Sequence, residues 1–260
     1  MSPPAAPLSR RAFLPAAGAA LLAAGPALAQ APKPRVHPLT KAIGYAERSL
    51  AAANRLPAYT ATFTRRELVK GEPNQGKAAV KFRAEPFSVY LRFLDPESAG
   101  RQILYVDGAH GGKLLAREAT GMKSMMGTVE LAIDSPLITS QSRYPITRMG
   151  VANLADGVLT QWRKESRFGE CDVQYFPDTE LGGRPVVVIE SSHPTPRRDF
   201  PFAKTQLWID KATMLPVRKM NWEWRRRDGK PILAEDYAYT DVRPDAPLTA
   251  ADFDRRGYKL

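Results

Sequence analysis

The apolar positions of this chain follow two periods, and the period switches several times along its length. In "LTKAIGYAERSLAAANRL", Leu39, Ile43, Ala46 and Leu50 stand 4, 3 and 4 residues apart, one stripe of a helix. Asn54 and Pro57 mark where it stops. From Tyr59 the period drops to two. Tyr59, Ala61 and Phe63 alternate with Thr60, Thr62 and Thr64, the pattern of a half-buried strand. The cluster "KGEPNQGK" predicts a turn. "AAVKFRA" and "FSVYLRFL" then set Val80, Phe82, Phe87, Val89, Leu91 and Phe93 against Lys81, Arg83, Ser88 and Arg92, with Glu85-Pro86 as the break between them. "RQILYVD" and "KLLARE" read as strands on either side of the turn "GAHGG".

The middle differs. "TGMKSMMGT" is a loose Met-rich stretch, and "VELAIDSPL" reads as a short strand. Val151, Leu154, Val158 and Trp162, spaced 3, 4 and 4, form a second amphipathic helix that ends near Gly169. Strands resume with "CDVQYF", "RPVVVIESSHP", "TQLWID", "LPVRKMNWEWRRR" and "KPILAEDYAYTDV". Few helices against many short strands separated by turns make the class α+β, with an antiparallel meander.

Within "MNWEWRRRDGKPILAEDYAYTDV", Asp228-Gly229 predicts a two-residue hairpin turn, which sets 224 opposite 233, 222 opposite 235 and 220 opposite 237. That register gathers Met220, Trp222, Trp224, Leu233, Tyr237 and Tyr239 on one face, with Arg226 and Glu235 at its rim, and sends most of the arginines to the other. The tryptophans then belong to plain core or to the wall of an apolar ligand cavity. A stacking platform for nucleic acid would need the aromatics exposed beside cations.

Composition sharpens this. The formal net charge is +11, a general attraction to anions. The basic residues are dispersed, and no nucleic-acid module motif occurs, so an anionic membrane surface is the expected partner rather than nucleic acid. At the start of the chain, Ser9-Arg10-Arg11-Ala12-Phe13-Leu14 looks like a twin-arginine export signal, with a general secretory leader as the other reading. An apolar run rich in Ala and Gly follows and closes on Ala27-Leu28-Ala29, an A-x-A cleavage site. The expected organisation is a cleaved signal peptide at 1–29, a flexible linker at 30–38 and one domain at 39–260, in the periplasm. Cys171 is the one cysteine, so no internal disulfide can form.

No stretch specifies a catalytic reaction. His37, His110 and His193 lie far apart, with no convergent ligands for a metal. Cys171 opens a strand and reads as a small buried hydrophobe. "SSHP" sets Ser192 beside His193 without a nucleophile elbow. "DGAHGGK" lacks the spacing of a phosphate loop and reads as a hairpin tip. Glu235 and Asp236 are neighbours on a strand and point to opposite faces. Met122, Met125 and Met126 read equally as an adaptable apolar lip or as a loop with incidental methionines. No cofactor or metal is expected.

The stretches "KFRAEPFSVYLRFL", "GRQILYVDGAHGGKLLA", "YPITRMGV", "LWIDKATMLPVRKMNW" and "YAYTDVRPDAPLTAADFD" are similar to those of an exported bacterial domain family of unknown function. That family resembles the LolA/LolB-like lipoprotein-carrier superfamily. The resemblance spans about residues 45 to 255. It implies a strongly curved antiparallel sheet, an unclosed barrel with helices over its concave face, and a cavity for acyl chains. In "WIDKATMLPV", Asp210 and Thr213 would shape a turn before Leu215 and Val217 resume the sheet. "ATFTRREL" departs from the first-strand motif of the true carriers, because Arg65 and Arg66 stand in it. The implied function is a periplasmic, non-enzymatic carrier of a lipid or lipidated protein; an envelope enzyme or a protein-contact scaffold is the alternative. The alternating rows nominate Phe63, Phe82, Val89, Leu91, Phe93, Trp222, Trp224 and Tyr237 as the lining.

Overall fold

In the computed structural model, the described residues are 36–260 apart from Arg226 and Lys259, and the side chain of Lys123 is also left aside. The export signal at Arg10, Arg11, Ala27 and Ala29 and most of the linker lie outside the described residues.

Helix α1 (Leu39–Ala53) opens the chain. Six strands follow: β1 (Ala58–Val69), β2 (Glu72–Arg83), β3 (Ser88–Phe93), β4 (Gln102–Val106), β5 (Lys113–Arg117) and β6 (Thr128–Ala132). Short α2 (Pro136–Thr139) and long α3 (Val151–Glu165) interrupt the strands. The chain then adds β7 (Asp172–Leu181), β8 (Arg184–Ser192), β9 (Lys204–Asp210), β10 (Pro216–Trp224) and β11 (Pro231–Arg243). All join one antiparallel sheet in the order β6-β5-β4-β3-β2-β1-β11-β10-β9-β8-β7. Consecutive strands pair as hairpins on each side, and β11 returns to lie against β1. The sheet is strongly curved and does not close, because β6 and β7 remain its two edges. The class is α+β, as the alternation predicts.

Two turns depart from the sequence expectation. "KGEPNQGK" is mostly strand, because Lys70 (φ 54°) and Gly71 (φ 90°) complete the β1–β2 turn by themselves. Both φ values are positive, the twist a two-residue hairpin prefers. At the other end, Gly229 N–H bonds the Arg225 carbonyl and Arg225 N–H bonds that of Lys230, so the β10–β11 loop is longer than two residues. A bulge between Asn221 and Trp222 follows, and the pairing becomes Asn221 with Glu235 and Lys219 with Tyr237. That is one residue away from the expected register, and a one-residue slip exchanges the faces. Trp222 and Trp224 therefore stand on the outer face, half-buried, with the Lys204 ammonium 4.2 Å over the Trp222 ring. Asp210 shapes its turn as expected: Oδ1 accepts from Ala212 N (3.0 Å), Thr213 N (2.8 Å) and Thr213 Oγ1 (2.9 Å).

Both faces of the sheet are covered. On the inner face, α1 and α3 pack over β8 and β9 through Leu39, Ala46, Val158 and Trp162 against Ile189, Leu207 and Ile209. On the outer face, the C-terminal segment lays Phe253 and Leu260 over Tyr90, Leu104 and Leu115, and Tyr258 stacks on Tyr90 at 3.8 Å.

Candidate functional site

The inner rows of the strands do not meet everywhere. β1 presents Phe63 and Arg65, β3 presents Leu91 and Phe93, β4 presents Ile103 and β5 presents Leu114, while β11 returns Tyr237 and Tyr239. These side chains, Ile138 of α2, most of the segment 141–149 and one side of α3 line a cavity of ≈ 490 Å³. The volume lies within the roughly 300–1,000 Å³ usual for ligand sites. Helix α3 faces the cavity with Asn153, Leu154, Gly157 and Gln161. A Cβ at Gly157 would meet no heavy atom within 4 Å, so the hollow runs up to the helix backbone there.

Two tyrosine hydroxyls from the sheet hold α3 in place. Its first N–H groups have no cap from a neighbouring side chain. Instead Gly150 N–H donates to Tyr239 Oη (2.8 Å) and Val151 N–H to Tyr59 Oη (2.9 Å). They satisfy donors that a helix start leaves open. Gly150 adopts φ 112°, and a Cβ there would lie 2.7 Å from the Phe82 ring, so glycine is required twice over.

One part of the cavity wall is polar. Glu67 (4% exposed) and Glu235 (0%) are buried carboxylates from neighbouring strands, paired across the β1–β11 ladder. Glu67 accepts from Arg65 Nη1 (2.9 Å), from the Tyr237 hydroxyl in a short bond and from Arg143 N (3.3 Å). Glu235 takes Lys219 Nζ at 2.9 Å, Asn221 Nδ2 at 2.6 Å and Arg143 Nε at 3.1 Å. Arg143 also pairs with Glu223. Buried charges persist only when paired in this way. Burial, together with the two carboxylates, holds the Tyr237 phenol far above its usual range, so it stays a donor. Of this network Arg65, Lys219, Asn221 and Tyr237 reach the cavity, whereas Glu67, Glu235, Glu223 and Arg143 do not line it.

Of the residues nominated from sequence, the structure brings Phe63, Leu91, Phe93 and Tyr237 to the cavity wall. Phe82 and Val89 belong to the surrounding core without lining the hollow. Trp222 and Trp224 do not line it; Lys219 and Asn221 represent β10 there, for the register reason given above. Sequence reading missed Lys219, Asn221, Glu67 and Arg143. The row Phe63, Arg65, Glu67 carries the available signal, since it continues an apolar row into charge on one face.

The remaining candidates fall elsewhere. His37, expected in a flexible start, is fastened: its Nε2 lies 2.7 Å from the Phe168 carbonyl and its Nδ1 accepts from Leu39 N. His193 stacks on Phe200 at 3.8 Å, and its Nε2 lies 3.3 Å from Glu165. Burial opposes the imidazolium, but Glu165 and the Glu170 carbonyl outweigh it and raise the His193 pKa. Burial pushes the Cys171 thiol up to about 12, which suits an inert thiol rather than a nucleophile. Asp236 points outward to Arg66 (2.6 Å) and Arg218 (2.7 Å), opposite to Glu235. Met122, Met125 and Met126 are 87%, 86% and 71% exposed and do not line the cavity. Among the described residues, no group of three His, Cys, Asp or Glu is placed to hold a metal, and no helix is long and apolar enough to cross a membrane.

The fold and the site define a class: an unclosed antiparallel sheet, curved around a ligand-sized cavity that helices cover on one side. Within that class, the chain belongs to the family described as "Protein of unknown function (DUF1571)", whose family model matches residues 56–259. No curated protein matches the sequence. Among solved structures, the chain is similar to the lipoprotein LppX of Mycobacterium tuberculosis (15% identity, 82% of this chain and 97% of that one, TM-score 0.45). It is also similar to a LolA superfamily protein of Nitrosomonas europaea (11%, 82% and 97%, TM-score 0.37). A third likeness is to the MucA/MucB complex structure of Pseudomonas aeruginosa (17%, 82% and 60%, TM-score 0.42).

Proposed function

We propose that this is an exported, periplasmic binding protein that holds the apolar chain of a lipid or of a lipidated partner. The carrying observation is the cavity of ≈ 490 Å³ walled by Phe63, Leu91, Phe93, Ile103, Leu114 and Leu154. Cavities with such walls exclude water poorly paired with them and favour apolar guests. The Arg10-Arg11 leader supports export, and the net charge of +11, of which Arg10 and Arg11 account for only two, favours an anionic membrane as the place of loading.

Gly157 supplies the test. It lies inside α3 with open space where a side chain would project. Gly157→Phe should fill the hollow without disturbing the sheet, and so abolish binding of a fluorescent fatty-acyl probe while thermal stability stays level or rises. Undiminished probe binding by a folded Gly157→Phe protein, or no binding by the wild type, would sink the proposal.

A further inference from the structure

We infer that the cavity selects an anionic amphiphile whose head carries a hydrogen-bond donor beside the anion. This rests on the lipid-binding reading and deepens it. Two observations carry it independently.

The first is the sorting of charge. The polar network holds the cations Arg65, Arg143 and Lys219 and the carboxylates Glu67, Glu223 and Glu235. Of this network only Arg65 and Lys219 reach the cavity, whose lining elsewhere adds Lys77, Arg101 and Arg148. The acids stand behind them, with Glu67 and Glu235 each taking three partners. At this polar patch a guest therefore meets donors backed by buried acids; the one carboxylate on the cavity lining, Asp156, lies on α3 with Arg148 3.9 Å away. An ammonium has three N–H groups and a guanidinium five. Lys219 directs one to Glu235, and Arg65 directs one to Glu67. Each retains capacity for a ligand anion. The side chains of Arg65 and Lys219 are 18% and 11% exposed, so an anion there is poorly screened by water.

The second is an orphaned acceptor. Asn221 is 2% exposed and lines the cavity, and its Oδ1 has no hydrogen-bond partner. The amide orientation is fixed by chemistry, since Nδ2 donates to Glu235 at 2.6 Å and a flipped amide would set its oxygen against that carboxylate. A buried acceptor left unpaired is costly. Oδ1 is closed to water, so a ligand hydroxyl or amide N–H, next to the anion held by Lys219, would satisfy it as the wall adjusts to the guest. The apolar chain then runs past Phe63 toward Leu91 and Phe93.

Three probes of one chain length separate the elements: tetradecanol, tetradecanoate and 3-hydroxytetradecanoate, titrated calorimetrically into the leaderless protein at neutral pH. The expected order is hydroxy acid tightest, then acid, then alcohol, with about tenfold between acid and alcohol for one charge-assisted contact. Lys219→Gln retains a donor for Glu235 but no charge. It should bring tetradecanoate to the affinity that the same variant shows for tetradecanol. Asn221→Ala should erase the advantage of the hydroxyl; if that variant does not fold, the wild-type comparison of the two acids decides. Equal binding of acid and alcohol, or no gain from the hydroxyl, overturns this inference and leaves the cavity reading intact. Binding of none of the three overturns the cavity reading itself.

Discussion

The β7–β9 side of the sheet and the β1–β5 side are built from the same alternating strands, yet one is filled and the other is hollow. Helix α3 serves both. One of its faces sends Val158, Leu159 and Trp162 into a packed cluster with α1, Ile189 and Leu207. Another face offers Asn153, Leu154, Gly157 and Gln161 to the cavity. The size of side chains on two stripes of one helix thus decides which side is core and which is site. Small residues of α1, Ala42 and Ala46, let the helices approach on the filled side. On the hollow side the helix is partnered by residues 141–149, a stretch of turns that cannot present a continuous apolar ridge.

The largest expected effect separates the two sides by stability. Trp162 is fully buried, and its Nε1 donates to Ser191 Oγ at 2.8 Å. Trp162→Ala should cost about 3–5 kcal/mol in urea denaturation. Phe93, half-buried beside the void, should cost about 1 kcal/mol on truncation to Ala, a typical loss for a partly exposed site. Equal losses would erase the distinction between filled and hollow. Next, Gly157→Ala should stabilise by about 0.5–1 kcal/mol, because helix propensity rises and the added methyl enters free space. A destabilised variant would mean that the void is closed in solution.

The finest test is pH. On the filled side, the His193 and Glu165 side chains are 1% and 0% exposed. Burial works against the charged imidazole, yet Glu165 and Glu170 raise its pKa above the ordinary 6.5. Its contribution is therefore fully present below about pH 6.5 and is lost as pH rises through the higher folded value. Denaturation midpoints followed from pH 6 to 9 should fall over that window in the wild type and lose this component in His193→Phe. On the cavity side, burial and the charge of Glu235 hold the Tyr144 and Tyr237 phenols above their usual range, so these groups should respond only in alkali, above about pH 10.

The strands and both long helices were legible because their stripes are long and apolar: Leu39 to Leu50, Val151 to Trp162, Tyr59 to Phe63. Half of the proposed lining was legible for the same reason, since Phe63, Leu91 and Phe93 stand on clean alternating rows. The rest was hidden by register. Trp222 and Trp224 are the largest side chains of β10, and burial logic turned them inward. The longer loop and the bulge turned Lys219 and Asn221 inward instead. The polar patch was invisible for a further reason. Glu67, Arg143, Lys219 and Glu235 each look solvated on their own segment, and only pairing across β1, β11 and β10 brings them together.

The tyrosines that cap α3 also set an order in time. Val151 finds its acceptor on Tyr59, 92 positions earlier, and Gly150 finds its own on Tyr239, 89 positions later. A helix made in advance of the sheet would begin with both donors bare. Contacts this distant along the chain are slow to form, since loop closure must precede their reward. While the polypeptide is being made, residues 151–165 emerge long before residue 239, so the Gly150 end of the roof meets its Tyr239 acceptor only with the last strand. A chain that ends before β11 lacks the Tyr239 acceptor and the Tyr237 and Tyr239 part of the wall, so the compartment for a guest is complete only once that strand is in place.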